Sequence, residues 1–255
     1  MEAHETTFLK LRRFNAVMGV FHLIQSGLMF LLSNDNTWKV TYTYAKYVEG
    51  EGLVPQTTPF ADIQLAPLVA LFLLISAIAH FTLATVGYDW YKSKLKRHMN
   101  PARWYEYSVS ASLMIVIIAM LTNILDLGTL IALFALTAVM NLMGLMMELH
   151  NQTTERTNWT AYIIGCIAGI VPWIVIAISL IGASIQSGGQ VPNFVIGIYV
   201  SIAIFFNLFA VNMALQYKKI GKWRDYLYGE RMYIVLSLVA KSALAWQIFF
   251  GTLQP

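Results

Sequence analysis

Charge is scarce in this chain. Of its 255 residues only 12% are charged, against about 25% in an ordinary soluble domain, so a soluble globular fold is excluded. Cysteine is nearly absent as well: Cys166 stands alone inside an apolar run, and no disulfide within the chain can form. No basic stretch is large enough to follow a phosphate backbone, because the net charge of +4 is dispersed between hydrophobic runs; nucleic acid is not an expected partner. No internal repeat of the kind that builds two-halved transporters is visible. No small-residue cleavage site follows the first apolar run, which is therefore expected to be a retained span and not a signal peptide. No metal site is expected.

What the chain has in abundance is hydrocarbon. Its 58% hydrophobic residues fall into seven runs, at about residues 14–32, 63–86, 104–121, 127–149, 159–181, 194–215 and 232–250. Each is close to the ~20 residues a helix needs to cross a bilayer core of about 30 Å. The expectation is an all-α, multi-pass membrane protein of seven transmembrane helices, forming one domain over residues 1–255. Asn100-Pro101 reads as an N-cap followed by a first-turn proline, so the third helix is expected to start there. Pro172 predicts a kink in the fifth.

Loop charge sets the orientation. Lys10, Arg12 and Arg13 precede the first span. Lys92, Lys94, Lys96, Arg97 and Arg103 lie between the second and third, and Lys218, Lys219, Lys222, Arg224 and Arg231 between the sixth and seventh. The opposite connections hold only Lys39 and Lys46, beside Asp35, Glu49, Glu51 and Asp62. By the positive-inside rule the N-terminus is cytoplasmic and the C-terminus extracellular, in the cell membrane. The long outer loop 33–62 alternates Trp38, Val40, Tyr42 and Tyr44 with Lys39, Thr41 and Thr43, and Glu49-Gly50-Glu51-Gly52 supplies turn chemistry; a short β-hairpin is predicted. Trp90, Tyr91, Trp104, Tyr105, Trp159 and Trp223 near the span ends read as interfacial belts.

Within the spans the ionisable residues read as His22, His80, Glu106 and Lys241. At 1.5 Å of rise per residue they lie roughly 8 to 18 Å from the basic ends of their helices. Lys241, midway along SLVAKSALAW, is the anomaly, since a lysine at the bilayer centre costs about 2.5 to 3.5 kcal/mol on insertion scales. Its stem leans toward the helix N-terminus, bringing its nitrogen toward the level of Glu106. Ser237, at i−4, shares its face and is placed to hydrogen-bond to the nitrogen or its partner. Taken singly, Glu106 is compatible with facing headgroups, and His22, His80 and Ser237 with plain helix packing. Lys241 instead calls for a buried partner or a covalent modification. A desolvated lysine amine forms Schiff bases with aldehydes, and a protonated imine needs a carboxylate nearby; Glu106 is the candidate.

A lysine midway along the seventh span, a carboxylate on the third, the inverted orientation, and the segments NPARWYEYSVSAS and SLVAKSALAW together resemble the heliorhodopsin family over essentially the whole chain. The resemblance implies all-trans retinal bound covalently to Lys241, with Glu106 as counterion to the protonated Schiff base. It also implies a polar region lined by His22 and His80 that takes part in the proton's fate, Ser237 near the Schiff base, and Phe206 at the ring-lining position. Ser110 is grouped with these as a further cofactor-binding candidate. A homodimer in contact through the outer hairpin is implied too.

After Glu106 the third span offers Ser110, Ser112 and Thr122 but no second carboxylate before Asp126 at its outer end. Without a donor and acceptor pair the expected role is a non-pumping photosensor, not an enzyme, with a possible cytoplasmic signalling partner. Two alternatives stand beside it: a light-gated proton channel or transporter, and a retinal-free transporter or interaction protein. The latter has only Pro172 and amides such as Gln25, Asn141 and Asn207 to draw on. A G-protein-coupled receptor is disfavoured by the orientation.

Overall fold

The computed structural model describes the backbone of residues 2–253 and the side chains of residues 5–253. Helix α1 (Glu2–Leu32) leads into a hairpin of β1 (Thr37–Val48) and β2 (Gly52–Gln64). Then follow α2 (Leu65–Ala84), a short α3 (Tyr88–Leu95), α4 (Pro101–Leu121) and α5 (Leu127–His150). The chain is completed by α6 (Thr160–Gln186), α7 (Asn193–Tyr217) and α8 (Tyr226–Ile248), with a 3-10 turn at Gly221–Arg224 before α8 and a π-helical turn at Phe249–Leu253 after it. Seven of these helices, all but α3, are long and apolar enough to cross a membrane.

Local chemistry fixes the helix starts. The Asn100 side chain accepts a hydrogen bond from the Arg103 amide, with Pro101 in the first turn, as the sequence predicts. Asp126 caps α5 through the Thr129 amide and hydroxyl, at 2.8 and 2.9 Å, and Asp225 caps α8 through the Leu227 amide. Along α6 the exposed isoleucines 163, 167, 170, 174, 178, 181 and 185 recur at steps of three and four. They form one apolar face of the helix, which in a bilayer needs only lipid beside it.

The helices close into a bundle in which α1 packs on α2, α2 on α4, α4 on α5, α5 on α6, α7 on α8 and α8 on α1. Its apolar core gathers Phe72, Leu73, Met114, Ile115, Ile118, Trp173, Leu244 and Ile248. The end carrying the N-terminus and most loop cations is the basic end; the other carries the hairpin. There the Asn34 amide bonds to the Leu253 carbonyl at 2.8 Å and its side chain to the Thr252 carbonyl at 2.9 Å. The Thr41 amide bonds to the Leu125 carbonyl at 2.9 Å. The α1–β1 connection thus ties α1 to the turn after α8, and the hairpin itself is tied to the α4–α5 turn.

Several expectations need adjusting. The strands run 12 and 13 residues, longer than the alternating stretch that announced them, because a two-stranded sheet has only edges and tolerates Pro55 and Pro59 in β2. Ile63 belongs to β2, so α2 starts two residues later than hydropathy placed it. The sequence reading did not foresee α3, which Lys92 ties to α1 through an ion pair with Glu5. Tyr91 and Trp104 are not interfacial: they are 1% and 6% exposed, because each packs into the bundle beside a buried polar cluster. Asn207 is exposed, its amide bonded back to the Ala203 carbonyl.

Candidate functional site

Lys241 sits on the inner face of α8 between α2 and α4. Its Nζ donates to Glu106 Oε1 at 2.6 Å and to Ser76 Oγ at 2.5 Å, while Ser76 Oγ donates to the same carboxylate oxygen at 2.7 Å. The lysine and glutamate side chains are 3% and 9% exposed, so neither faces headgroups. Tyr107 stands beside them, its ring centroid 5.2 Å from Nζ and its hydroxyl donated to the Tyr233 carbonyl at 3.0 Å. A buried pair of this kind survives only when its remaining hydrogen-bonding capacity is met, and Ser76 meets part of it.

Ser76 takes the place in which the sequence put Ser237. Ser237 is buried and makes no hydrogen bond to Lys241, because a partner at i−4 lies under the lysine stem while the nitrogen reaches across to α2 and α4. The missed signal was on α2, where Ser76 is one turn from His80 and shares its face. Ser110 is fully buried one turn beyond Glu106, its hydroxyl without a hydrogen-bond partner.

The two histidines are brought together. Their rings stack with centroids 5.5 Å apart and planes 9° from parallel. His80 Nδ1 pairs with Asn15 Oδ1 at 2.8 Å, whereas both nitrogens of His22 are buried without a hydrogen-bond partner. Asn15 lies two turns before His22 on α1. A narrow cavity of about 30 Å³ adjoins Ser76, His80, Asn15 and Glu106 and continues toward the basic end to Asn100, Arg103 and Glu230.

At that far end is a charged cluster that the sequence reading did not identify. Arg103 forms ion pairs with both Glu148 and Glu230, every one of these side chains being 4% exposed or less. Glu230 also accepts from Tyr91 at 3.0 Å and from the Asn100 side chain at 2.6 Å, and Glu148 accepts from the Asn100 amide at 2.8 Å. The guanidinium lies 3.8 Å from the Tyr233 ring centroid. Arg103 was counted among the loop charges that set orientation; it is an internal residue whose charge is met inside the protein. Buried carboxylates within helices are thus not confined to Glu106.

On the other side of Lys241 the surroundings are apolar. A narrow cavity of about 40 Å³ runs from Lys241 past Ser237, Tyr107, Met114, Met140 and Asn141 to Phe206 and Phe209. Phe206, one of the lining residues, packs edge-on against Trp173, ring centroids 5.4 Å apart. The lining suits a long apolar polyene attached at Lys241: it is mostly hydrocarbon, thioether and aromatic, with Ser237 and Asn141 as polar groups and no charged group besides Lys241. Gly169 lets α6 pack closely on α5 beside this cavity, since a Cβ there would fall 2.3 Å from Met140 Sδ.

A family model described as heliorhodopsin matches residues 11–253. No individual curated protein matches the chain significantly. With seven membrane-capable helices around a buried lysine–carboxylate pair, and a family match spanning nearly its whole length, this chain belongs to the heliorhodopsin family of retinal-binding membrane photoreceptors.

Proposed function

We propose that the protein is a light sensor that holds all-trans retinal covalently on Lys241 as a protonated Schiff base, with Glu106 as its counterion, and that it signals without pumping ions. The observation that carries this reading is the buried Lys241–Glu106 pair, with contact at 2.6 Å, opening onto an apolar cavity. Bound retinal supplies visible absorption and a double bond that light isomerises. The chain's own residues do the rest. Glu106 stabilises positive charge on Nζ, Ser76 fixes the carboxylate toward it, and Tyr107, Phe206 and Met114 keep water from the cavity. Ser237 and Ser110 are held to tune the environment of the attached nitrogen. His80, oriented by Asn15, and His22, with both nitrogens free, are the groups placed to take up a proton from the Nζ side.

Polar groups gather toward the basic end of Lys241 and the core closes with hydrocarbon toward the hairpin, which supports proton movement confined to one side. Asp126, the outer carboxylate, is engaged in capping α5 and so is a poor acceptor for an outward path. In this reading the basic end is cytoplasmic, the protein sits in the cell membrane, a second copy docks through the hairpin, and a partner protein reads the cytoplasmic ends of the helices. Purified protein supplied with retinal should develop a visible band that Lys241→Ala abolishes; a retained band sinks the attachment. Glu106→Gln should red-shift that band, and an unmoved maximum removes Glu106 as counterion. The rival reading, a light-gated proton channel, predicts sustained photocurrents under voltage clamp, where the sensor predicts none.

A further inference from the structure

A second cleft opens at the basic end, away from Lys241 and Glu106. It has a volume of about 390 Å³ and is bounded by the α3–α4 connection, the α5–α6 loop, the end of α7 and the turn before α8. Three cations line it, Arg97, Lys219 and Arg224, against the single carboxylate of Glu155. None of the three cations forms an ion pair among the described residues. Topology asks for cations at this end of the bundle, but it does not ask for them to converge on one concave space.

The walls of the cleft are built. Asn151 accepts from the Asn158 amide at 2.7 Å and the Thr154 hydroxyl at 3.0 Å, and its own amide bonds to the Met147 and Asn158 carbonyls. The Gln152 side chain holds the Arg97 carbonyl at 3.0 Å, and Trp223 Nε1 is fixed by Asn212 at 2.6 Å. Of three non-glycine residues with positive φ among those described, two line this cleft, His98 at 54° and Lys219 at 53°. Both are left-handed helix endings, closed by the Met99 amide on the Lys94 carbonyl and the Ile220 amide on the Leu215 carbonyl, each at 3.1 Å, which fixes where the two side chains leave the backbone. The imidazole of His98 stacks on Tyr226, centroids 5.0 Å apart. Tyr226 is the first residue of α8, and its buried hydroxyl has no hydrogen-bond partner.

We infer that this cleft is a binding site for a phosphate-bearing anion, held by Arg97, Lys219 and Arg224 and bearing through Tyr226 on the first turn of the helix that carries Lys241. Guanidinium groups match phosphate oxygens in pairs and lysine adds a point charge. The volume suits a ligand of small-molecule size, and the same chemistry comes from a soluble phosphate compound or from an anionic lipid headgroup.

The test uses the full chain in the dark. Inorganic pyrophosphate is titrated into detergent-solubilised protein at low and high salt, and retained phosphatidylglycerol is measured after reconstitution in mixed phosphatidylglycerol and phosphatidylcholine. Two double variants of equal charge change are compared, Arg97→Ala/Arg224→Ala in the cleft and Lys10→Ala/Arg13→Ala on the same end outside it; all four are exposed. Saturable pyrophosphate binding that the cleft variant weakens about tenfold or more, that the control variant leaves intact and that salt weakens, supports the site with a soluble ligand. Phosphatidylglycerol retention lost only in the cleft variant supports it with a headgroup. Binding in neither arm, or equal loss in both variants, overturns it.

Discussion

Toward the basic end from Lys241 the interior is built of charges and their partners, and toward the hairpin it is mostly hydrocarbon, with uncharged polar groups such as Gln25, Ser112 and Thr122 among it. On the first side lie Ser76, Glu106, the His22–His80 stack and the Arg103–Glu148–Glu230 cluster. On the second lie Met114, Ile115, Ile117, Ile118, Leu244, Ala245 and Ile248, all buried. The same two helices, α4 and α8, supply both. Beyond Glu106 and Lys241 neither helix carries another charged residue, only serines, Thr122 on the turn after α4 and Gln247 among hydrocarbon, so the lysine marks the edge of the charged half.

That contrast can be broken from either side. The largest effect is expected from Arg103→Ala, which leaves Glu148 and Glu230 buried without a cation; losing one partner of a buried ion pair costs about 3 to 5 kcal/mol. Equilibrium unfolding in detergent measures it, and the triple replacement Arg103→Met/Glu148→Leu/Glu230→Leu should recover most of the loss. A small effect of the single change would mean that the cluster is open to water. Next, Ile118→Asp puts a carboxylate into the apolar half, where no cation faces it; a loss of about 2.5 to 3.5 kcal/mol is expected. Near-neutral behaviour in the same assay would show a hidden polar path.

Gly144→Ala sharpens the comparison at its hinge. Its Cβ would fall 2.4 Å from the Trp104 ring, which packs edge-on against Tyr107 and Tyr233; overpacking of about 1 to 3 kcal/mol follows, with a shifted visible band because Tyr107 borders Lys241. The smallest effect belongs to Asp126→Ala. Loss of that cap costs about 1 kcal/mol and should leave the absorption spectrum unchanged, whereas a spectral shift would make Asp126 part of the chromophore's surroundings.

The seven spans were legible because hydropathy reports solvent, and here the solvent is lipid. Lys241 and Glu106 were legible for the converse reason, as charges where the solvent forbids them. Arg103, Glu148 and Glu230 escaped because they sit within a turn or two of helix ends, where charges are ordinary and the sequence does not distinguish a headgroup from an internal partner. Ser76 escaped for a different reason: sequence spacing relates residues on one helix, while the Lys241 nitrogen is met across helices, and the rotation of α2 against α8 is written in packing alone. The hairpin announced itself by alternation only where its residues alternate, so the proline-bearing length of β2 went unread.

The bonds from Asn34 to the carbonyls of Thr252 and Leu253 give α8 a pivot. The turn that follows the helix is fastened to the α1–β1 connection, while the helix's other end meets the loops of the basic end. At 1.5 Å per residue the 23 residues of α8 form a lever of about 35 Å, and a tilt of roughly 5° about the fastened end carries Tyr226 by about 3 Å. Lys241 lies nearer the fulcrum than Tyr226 does, so a small displacement at the lysine becomes a larger one at the mouth of the basic cleft.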